Sequence, residues 1–238
     1  MKKTALVTGA NKGLGFEIAK QLAEQGCTVF LGARDKEAGQ KAETFLRSQD
    51  LDVHFIKLDV NNPSDRKDCA EVISRHPGKL DILVNNAGVM LDREKRASNV
   101  SEKTLRETFD TNFFSVVALT QELLPLLRKS EGARIVNHSS MLGSLSKNSK
   151  GETGAFGLLA YNASKAALNM FTVLLAKELE GTNIKVNSAH PGWVKTDLGS
   201  SAAPMEVVDG AKTAVQLATL PDSGPSGGFF HMGEALPW

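Results

Sequence analysis

Cysteine is almost missing from this chain. Two, Cys27 and Cys69, stand among 238 residues. They are too few for a disulfide framework, and neither has a partner at metal-ligand spacing. Both read as small buried apolar side chains, and no metal is expected. Aromatic residues make up 6% and include a single tyrosine. An excess of one charge is lacking too: 28 basic against 27 acidic residues leave a formal net charge of +1. That excludes the basic footprint of a nucleic-acid binder and an acidic tail. No stretch nears the roughly 18 apolar residues of a membrane helix. Met1-Lys2-Lys3 resembles the start of a secretory leader, but the apolar run behind it is short and Asn11-Lys12 breaks it. The expectation is a soluble, cytoplasmic protein with neither nucleic acid nor membrane as partner.

What is present is a globular composition, with 41% hydrophobic residues and 21 glycines. A folded chain of 25.5 kDa buries about seven-tenths of its extended surface, enough for a core without staples. Short apolar runs at 4–8, 27–33, 53–58, 80–84, 134–137 and 184–189 read as strands. Helical periodicity occupies 13–26, 35–48, 63–75, 101–128, 158–180 and 205–219. Strands apolar throughout are buried on both faces. Alternation with helices then predicts an α/β fold: one domain over 1–238, a doubly wound parallel sheet of about seven strands with helices on both faces. Two segments read as long loops, 144–157 and 192–206, and such loops often form lids or binding surfaces.

The run Thr8-Gly9-Ala10-Asn11-Lys12-Gly13-Leu14-Gly15 lies between the first strand and the first helix. Gly9 permits a tight turn, Gly13 leaves room for a pyrophosphate, and Gly15 lets helix and strand approach. The free N–H groups and dipole of the helix start favour an anion. Strand before and helix after make this a dinucleotide cradle. The second strand ends Gly32-Ala33-Arg34-Asp35. An acidic residue there would take a ribose 2′-hydroxyl, whereas Arg34 offers a fork to a 2′-phosphate, with Lys12 as a second positive charge. NADPH (or NADP+) is therefore predicted over NADH.

Tyr161, the sole tyrosine, precedes Lys165 by one helical turn, so both side chains share a face. A phenol is a poor acid at neutral pH, and a nearby cation favours its ionised form. With the cradle already present, the pair predicts proton transfer in a nicotinamide-dependent reaction. His138 and His190 adjoin this site without triad or zinc spacing and read as lining or core residues. Asp92-Arg93-Glu94-Lys95-Arg96 reads as a solvated loop, with a place at the pocket rim as the second reading.

Taken together, these motifs resemble the short-chain dehydrogenase/reductase family over nearly the whole length. To the cradle and the Tyr161/Lys165 pair are added Asp59-Val60, Asn85-Asn86-Ala87-Gly88, Asn112 in Thr111-Asn112-Phe113-Phe114, Ser139-Ser140 and Pro191-Gly192. Asn11-Lys12-Gly13, Ala33-Arg34-Asp35 and Gly227-Gly228-Phe229-Phe230 are similar to the carbonyl-reductase-like branch. The resemblance implies a catalytic set of Asn112, Ser140, Tyr161 and Lys165. Tyr161 would pass the proton, Lys165 would hold the ribose and depress the phenol's pKa, and Ser140 would polarise the carbonyl. Asn112 would bind a water of the proton relay. It favours Ser140 over Ser139. Asp59 and Val60 would contact the adenine, and Asn86, Ala87 and Gly88 the adenosine ribose. Pro191, Gly192, Val194 and Thr196 would hold the nicotinamide, with Leu14 in the cradle. Met141 and Trp193 would shape an apolar substrate pocket.

The implied reaction is NADPH-dependent reduction of small aldehydes, ketones or quinones. Two other readings stand beside it: reduction of a 3-oxoacyl group on an acidic carrier protein, met by Lys147, Lys150 and Lys195, and a non-catalytic NADPH sensor. Ser140 and Tyr161 are 21 residues apart, wider than the family's usual gap. This leaves homodimer, homotetramer and monomer open. The tail Ala235-Leu236-Pro237-Trp238 is expected at a subunit interface.

Overall fold

A computed structural model describes residues 2–154 and 157–238. Eight strands form one sheet: β1 (Thr4–Thr8), β2 (Thr28–Ala33), β3 (Val53–Lys57), β4 (Ile82–Asn85), β5 (Arg134–His138), β6 (Lys185–Ala189), β7 (Phe229–His231) and β8 (Glu234–Ala235). Their order is β3-β2-β1-β4-β5-β6-β7-β8. All neighbouring pairs are parallel except the last. The strand count exceeds the expected seven because β7 turns back through Met232-Gly233 into the two-residue β8. A run that short carries no readable periodicity.

The helices are α1 (Gly13–Glu24), α2 (Lys36–Arg47), α3 (Pro63–Arg75), α4 (Glu102–Phe109), α5 (Ser115–Leu127), α6 (Leu145–Ser149), α7 (Leu159–Glu178) and α8 (Val207–Ala218). Side chains alternate across each strand, so the sheet builds two cores. Ala5, Val7, Val29 and Leu31 pack against α1, α2 and α8 through Ile18, Leu22, Leu46 and Ala214. Leu6, Phe30, Ile56 and Leu83 pack against α3, α5 and α7 through Ile73, Leu123 and Leu175. Both cysteines are buried and unpaired, as expected. No helix among the described residues is long and apolar enough to cross a membrane.

The helix expected over 101–128 runs from Glu102 to Leu127 with one irregularity inside it. A five-residue π turn, Asp110–Phe114, separates α4 from α5, and such turns gather at functional sites. The 144–157 segment, expected as a loop, contains α6; its Ala155 and Phe156 lie outside the described residues. Asp92 departs from the solvated-loop expectation, since its side chain is fully buried. The tail packs within its own chain: Trp238 stacks on Phe229 at 5.6 Å, and its carbonyl accepts from Ser146 N at 3.0 Å.

Candidate active site

Strand order reverses direction between β1 and β4, so the connections leaving their carboxyl ends go to opposite faces of the sheet and leave a crevice. A cleft of about 640 Å³ lies there. The cradle forms one end of it, contributing Gly9, Asn11, Lys12, Gly13, Leu14 and Gly15. Gly9 and Gly13 sit at φ +62° and +56°, conformations in which a Cβ is strained. At Gly15 a Cβ would lie 2.4 Å from both Asn86 Nδ2 and Gly9 O. Asn86 locks this turn: its Nδ2 donates to Thr8 O at 2.8 Å, and its backbone N donates to Thr8 Oγ1 at 3.0 Å. Thr8 thus organises the cradle, which the motif alone did not reveal.

The start of α1 has no side-chain cap and no acidic residue in its first turn. Its orphan N–H groups are therefore available to an anion. Asp35 turns away to cap α2, accepting from Ala38 N at 3.0 Å, while exposed Arg34 lines the cleft. Asp59, Val60, Ala87 and Gly88 line the far wall, with Asn86 beside them. Asp59 also accepts from Asn61 N at 3.0 Å, which shapes that turn. A bare glycine opening, an uncapped helix start and a cation at the β2 end fit a dinucleotide phosphate. Lys12 is less free than its motif implied. It pairs with Asp197 at 2.5 Å across the cleft mouth, although both side chains are well exposed and such pairs contribute little.

The other end of the cleft holds Tyr161 and Lys165, buried side by side on α7. Lys165 Nζ lies 5.7 Å from the ring centre of Tyr161 and donates to His138 O at 2.8 Å. Burial pushes the phenol's pKa up to about 12; the hydrogen bond from Ser140 and the charge of Arg93 act in the opposite sense. Burial likewise brings the Lys165 ammonium down to about 8. The lowered phenol pKa expected from Lys165 is thus not what this arrangement produces. Both groups are desolvated, and the ammonium is directed at a carbonyl.

Two serines follow β5, and the structure separates them. Ser139 Oγ donates to Asn169 Oδ1 at 2.6 Å, which ties the strand to α7. Ser140 stands near enough to the phenol to oppose the rise in its pKa, and it caps the short turn Met141–Gly143 by accepting from Leu142 N at 3.2 Å; of the two serines it is Ser139 that lines the cleft. Asn112 lies in the π turn, fully buried. Its amide accepts from Val89 N and donates to Val89 O, both at 2.8 Å, and donates to Ser164 Oγ at 3.0 Å. Gly88 separates it from Lys165: a Cβ there would stand 3.3 Å from Asn112 Oδ1 and 3.5 Å from Lys165 Nζ.

The 192–206 segment delivers only part of what was expected of it. Pro191 and Thr196 line the cleft, with Lys195, Asp197 and Leu198. Val194 turns its side chain inward, against Gly210 of α8. Gly192 (φ +92°) faces Met205. Trp193 is half-exposed and donates its indole N–H to Gly199 O. Neither Trp193 nor Met141 lines the cleft. Arg93, in the charged run, takes the pocket-rim place that was the second reading of that run: it lines the cleft and donates to the carbonyls of Asp197 (3.1 Å) and Leu198, so it ties the β4 loop to this segment. His138 lines the cleft with Nδ1 bonded to Asn86 Oδ1 at 2.9 Å, and burial drives its pKa to about 3. No metal-binding cluster occurs among the described residues.

The fold and the site define a dinucleotide-binding oxidoreductase, and comparison with known proteins gives the family. The family model described as short chain dehydrogenase matches residues 3–207. The chain is 35% identical to short-chain dehydrogenase/reductase 1 of Saponaria officinalis, covering 100% of this chain and 96% of that protein. It is 33% identical to carbonyl reductase [NADPH] 1 of Mus musculus, over 100% and 99%. The solved structure of NADPH-bound carbonyl reductase from chicken fatty liver superposes with a TM-score of 0.89 at 28% identity, over 100% and 99%. The chain belongs to the short-chain dehydrogenase family, in its carbonyl-reductase-like branch. It is an oxidoreductase acting on C=O and CH–OH groups.

Proposed function

We propose that the protein reduces the carbonyl of small aldehydes, ketones or quinones to the alcohol, with NADPH preferred over NADH. The observation that carries this reading is the pairing of two ends in one cleft: an uncapped glycine cradle with Arg34 at one, and Tyr161 with Lys165 at the other. The mouse relative is named an NADPH carbonyl reductase, and the chicken-liver neighbour holds NADPH. When bound, the nicotinamide supplies hydride to the carbonyl carbon.

The remaining work falls to this chain. Ser140 and Tyr161 hold the carbonyl oxygen, and Tyr161 gives it the phenolic proton, which a pKa near 12 keeps in place until a strong base develops. Lys165, with a pKa near 8, stands at a value suited to returning a proton near neutral pH. Asn112 fixes the loop beside it. The cradle, Arg34, the Asp59-Val60 turn and the Asn86–Gly88 segment would hold the dinucleotide, and Pro191 and Thr196 its nicotinamide end. The 192–206 segment serves as the substrate loop of a single unit spanning 1–238. Two of the three lysines of the carrier-protein reading are met by carboxylates of this chain, Lys147 by Glu152 at 3.1 Å and Lys195 by Glu206, which lessens the charge left for an acidic partner.

Initial rates with a carbonyl panel, run with NADPH and NADH in parallel, test the reading. Tyr161→Phe should lose turnover and keep NADPH binding. Arg34→Asp should weaken NADPH by about tenfold or more while sparing NADH, the effect of losing a charge-assisted phosphate contact. Turnover retained by Tyr161→Phe would remove the phenol as donor. Equal loss of both cofactors in Arg34→Asp would remove Arg34 as the phosphate contact.

A further inference from the structure

We infer that Asp92 is a positioning residue for Tyr161, acting through the first turn of α7. The inference rests on the proposed role of Tyr161 as proton donor. Tyr161 is the third residue of α7, so the placement of its phenol depends on how the helix begins. A helix start leaves N–H groups without partners, normally met by a Ser, Thr, Asp or Asn just ahead. None is available here. The residue at the cap position is Leu158, in the left-handed region at φ +61°, with no side-chain bond to the helix.

Asp92 supplies the cap from 68 residues away. Its Oδ2 accepts from Ala160 N at 2.7 Å and from Tyr161 N at 3.4 Å. The side chain is fully buried, and its Oδ1 has no partner among the described residues. A buried carboxylate without a cation is costly, and the positive end of a 20-residue helix is the compensation it finds here. The surrounding loop is laced to the same turn. Asp92 O accepts from Lys95 N at 3.0 Å, and Lys95 O accepts from Leu158 N at 3.3 Å. A Cβ on Gly157 would stand 2.7 Å from Lys95 O, so glycine admits this approach.

The clasp closes on itself. Asn112 holds Val89, three residues before Asp92, and donates to Ser164 Oγ; Ser164 Oγ in turn donates to Tyr161 O at 2.7 Å. Tyr161 is thus held by its N–H through Asp92 and by its C=O through Ser164. Both anchors trace to the loop after β4, which also lines the cleft.

The test uses the full chain and two readouts. One is NADPH-dependent carbonyl reduction. The other is the resonance of Cζ-labelled tyrosine, a single signal because Tyr161 is the only tyrosine. Asp92→Ala is expected to lower kcat by about 100-fold, the cost of an ångström-scale misplacement, with NADPH affinity within about twofold of the parent. It should also shift and broaden the tyrosine resonance. Asp92→Asn, which keeps the acceptor, should recover most of both. Should Asp92→Ala fail to fold, Asp92→Ser, with an acceptor on a shorter arm, takes its place with the same expected direction. A folded Ala or Ser variant with the parent's kcat and resonance overturns the inference. Tyr161→Phe, run alongside, separates the two ideas. If it is inactive and Asp92→Ala is not impaired, only the positioning role falls; if it retains turnover, the proton-donor reading falls and this inference with it.

Discussion

Gly15 shows how one missing methyl group sets the cofactor end of the cleft. The 2.4 Å approaches to Asn86 Nδ2 and Gly9 O leave no space for any side chain. Asn86 cannot retreat cheaply, because its amide is committed to Thr8 O and to His138. Gly15→Ala should therefore cost about 1–3 kcal/mol of folding stability by overpacking. It should also weaken NADPH in titration calorimetry, because the cradle must open. Gly26 is a contrasting site: at φ +85° with nothing within 4 Å, an alanine there meets strain alone. Cofactor affinity unchanged in Gly15→Ala would show that the cradle relaxes without moving its N–H groups. Tyr161 is a second lesson at this scale. Its helical partner Lys165 was legible from spacing four residues apart, but the direction of the phenol's pKa was not. Burial is a property of the surroundings, and here it outweighs Ser140 and the charge of Arg93, which act against it.

Loops and helix starts carry the specificity of this site. The 192–206 segment contacts the β4 loop through Arg93, whose guanidinium reaches the carbonyls of Asp197 and Leu198, and contacts the cradle through Lys12 and Asp197. The second contact is an exposed ion pair and salt will weaken it. The Arg93 clasp is the firmer link. Arg93→Ala should raise the KM for the carbonyl substrate by about three- to tenfold and alter kcat with it, as displaced substrate loops do. Hydrogen exchange should quicken over residues 195–200 and stay unchanged in β1. Exchange that stays at the parent's rate would assign loop order to Val194 and Gly210 instead. The π turn at Asn112 acts at the same scale. Apolar spacing runs on through 101–128, so periodicity alone joins α4 to α5; the π turn arises where Asn112 satisfies Val89 and Ser164.

Across the whole molecule, two buried histidines make stability depend on pH. Burial, with the charges of Lys165 and His190, holds His138 near a pKa of 3; burial, with His231 and Lys147, does the same for His190. Both lie below the ordinary 6.5, so the unfolded chain takes up protons that the folded chain refuses. Their contribution is complete above about pH 6.5 and is lost as pH falls from there toward 3. Each histidine should remove about 2 kcal/mol between pH 6.5 and 5, read as a drop in urea-unfolding free energy. His138→Gln should flatten that slope by about half. Asp52, held near 2, gives way only at lower pH and does not confuse this window. A slope unchanged in His138→Gln would place the titrating groups elsewhere.

The sequence by itself determined the α/β alternation, the cradle, the Arg34 choice at the end of β2 and the Tyr161/Lys165 pair. Each is a local pattern: a period, a glycine spacing, or two residues one helical turn apart. Ser140 and Asn112 were reached through the family resemblance, since neither has a local signature. Only the tertiary structure decided what depends on distant segments meeting. Asp92 sits in a run of charges that reads as solvent-facing, and it is buried because α7 arrives without a cap of its own. The missing cap was readable, since no Ser, Thr, Asp or Asn stands at 155–159, but the residue that answers it lies 68 positions away. Arg93, Thr8 and the inward turn of Val194 are of the same kind. The strand pair at the edge went unread because two and three residues are too few for a period. Local sequence sets which groups are present and how they are spaced along one element; burial, and therefore pKa and orientation, is set only when the elements pack.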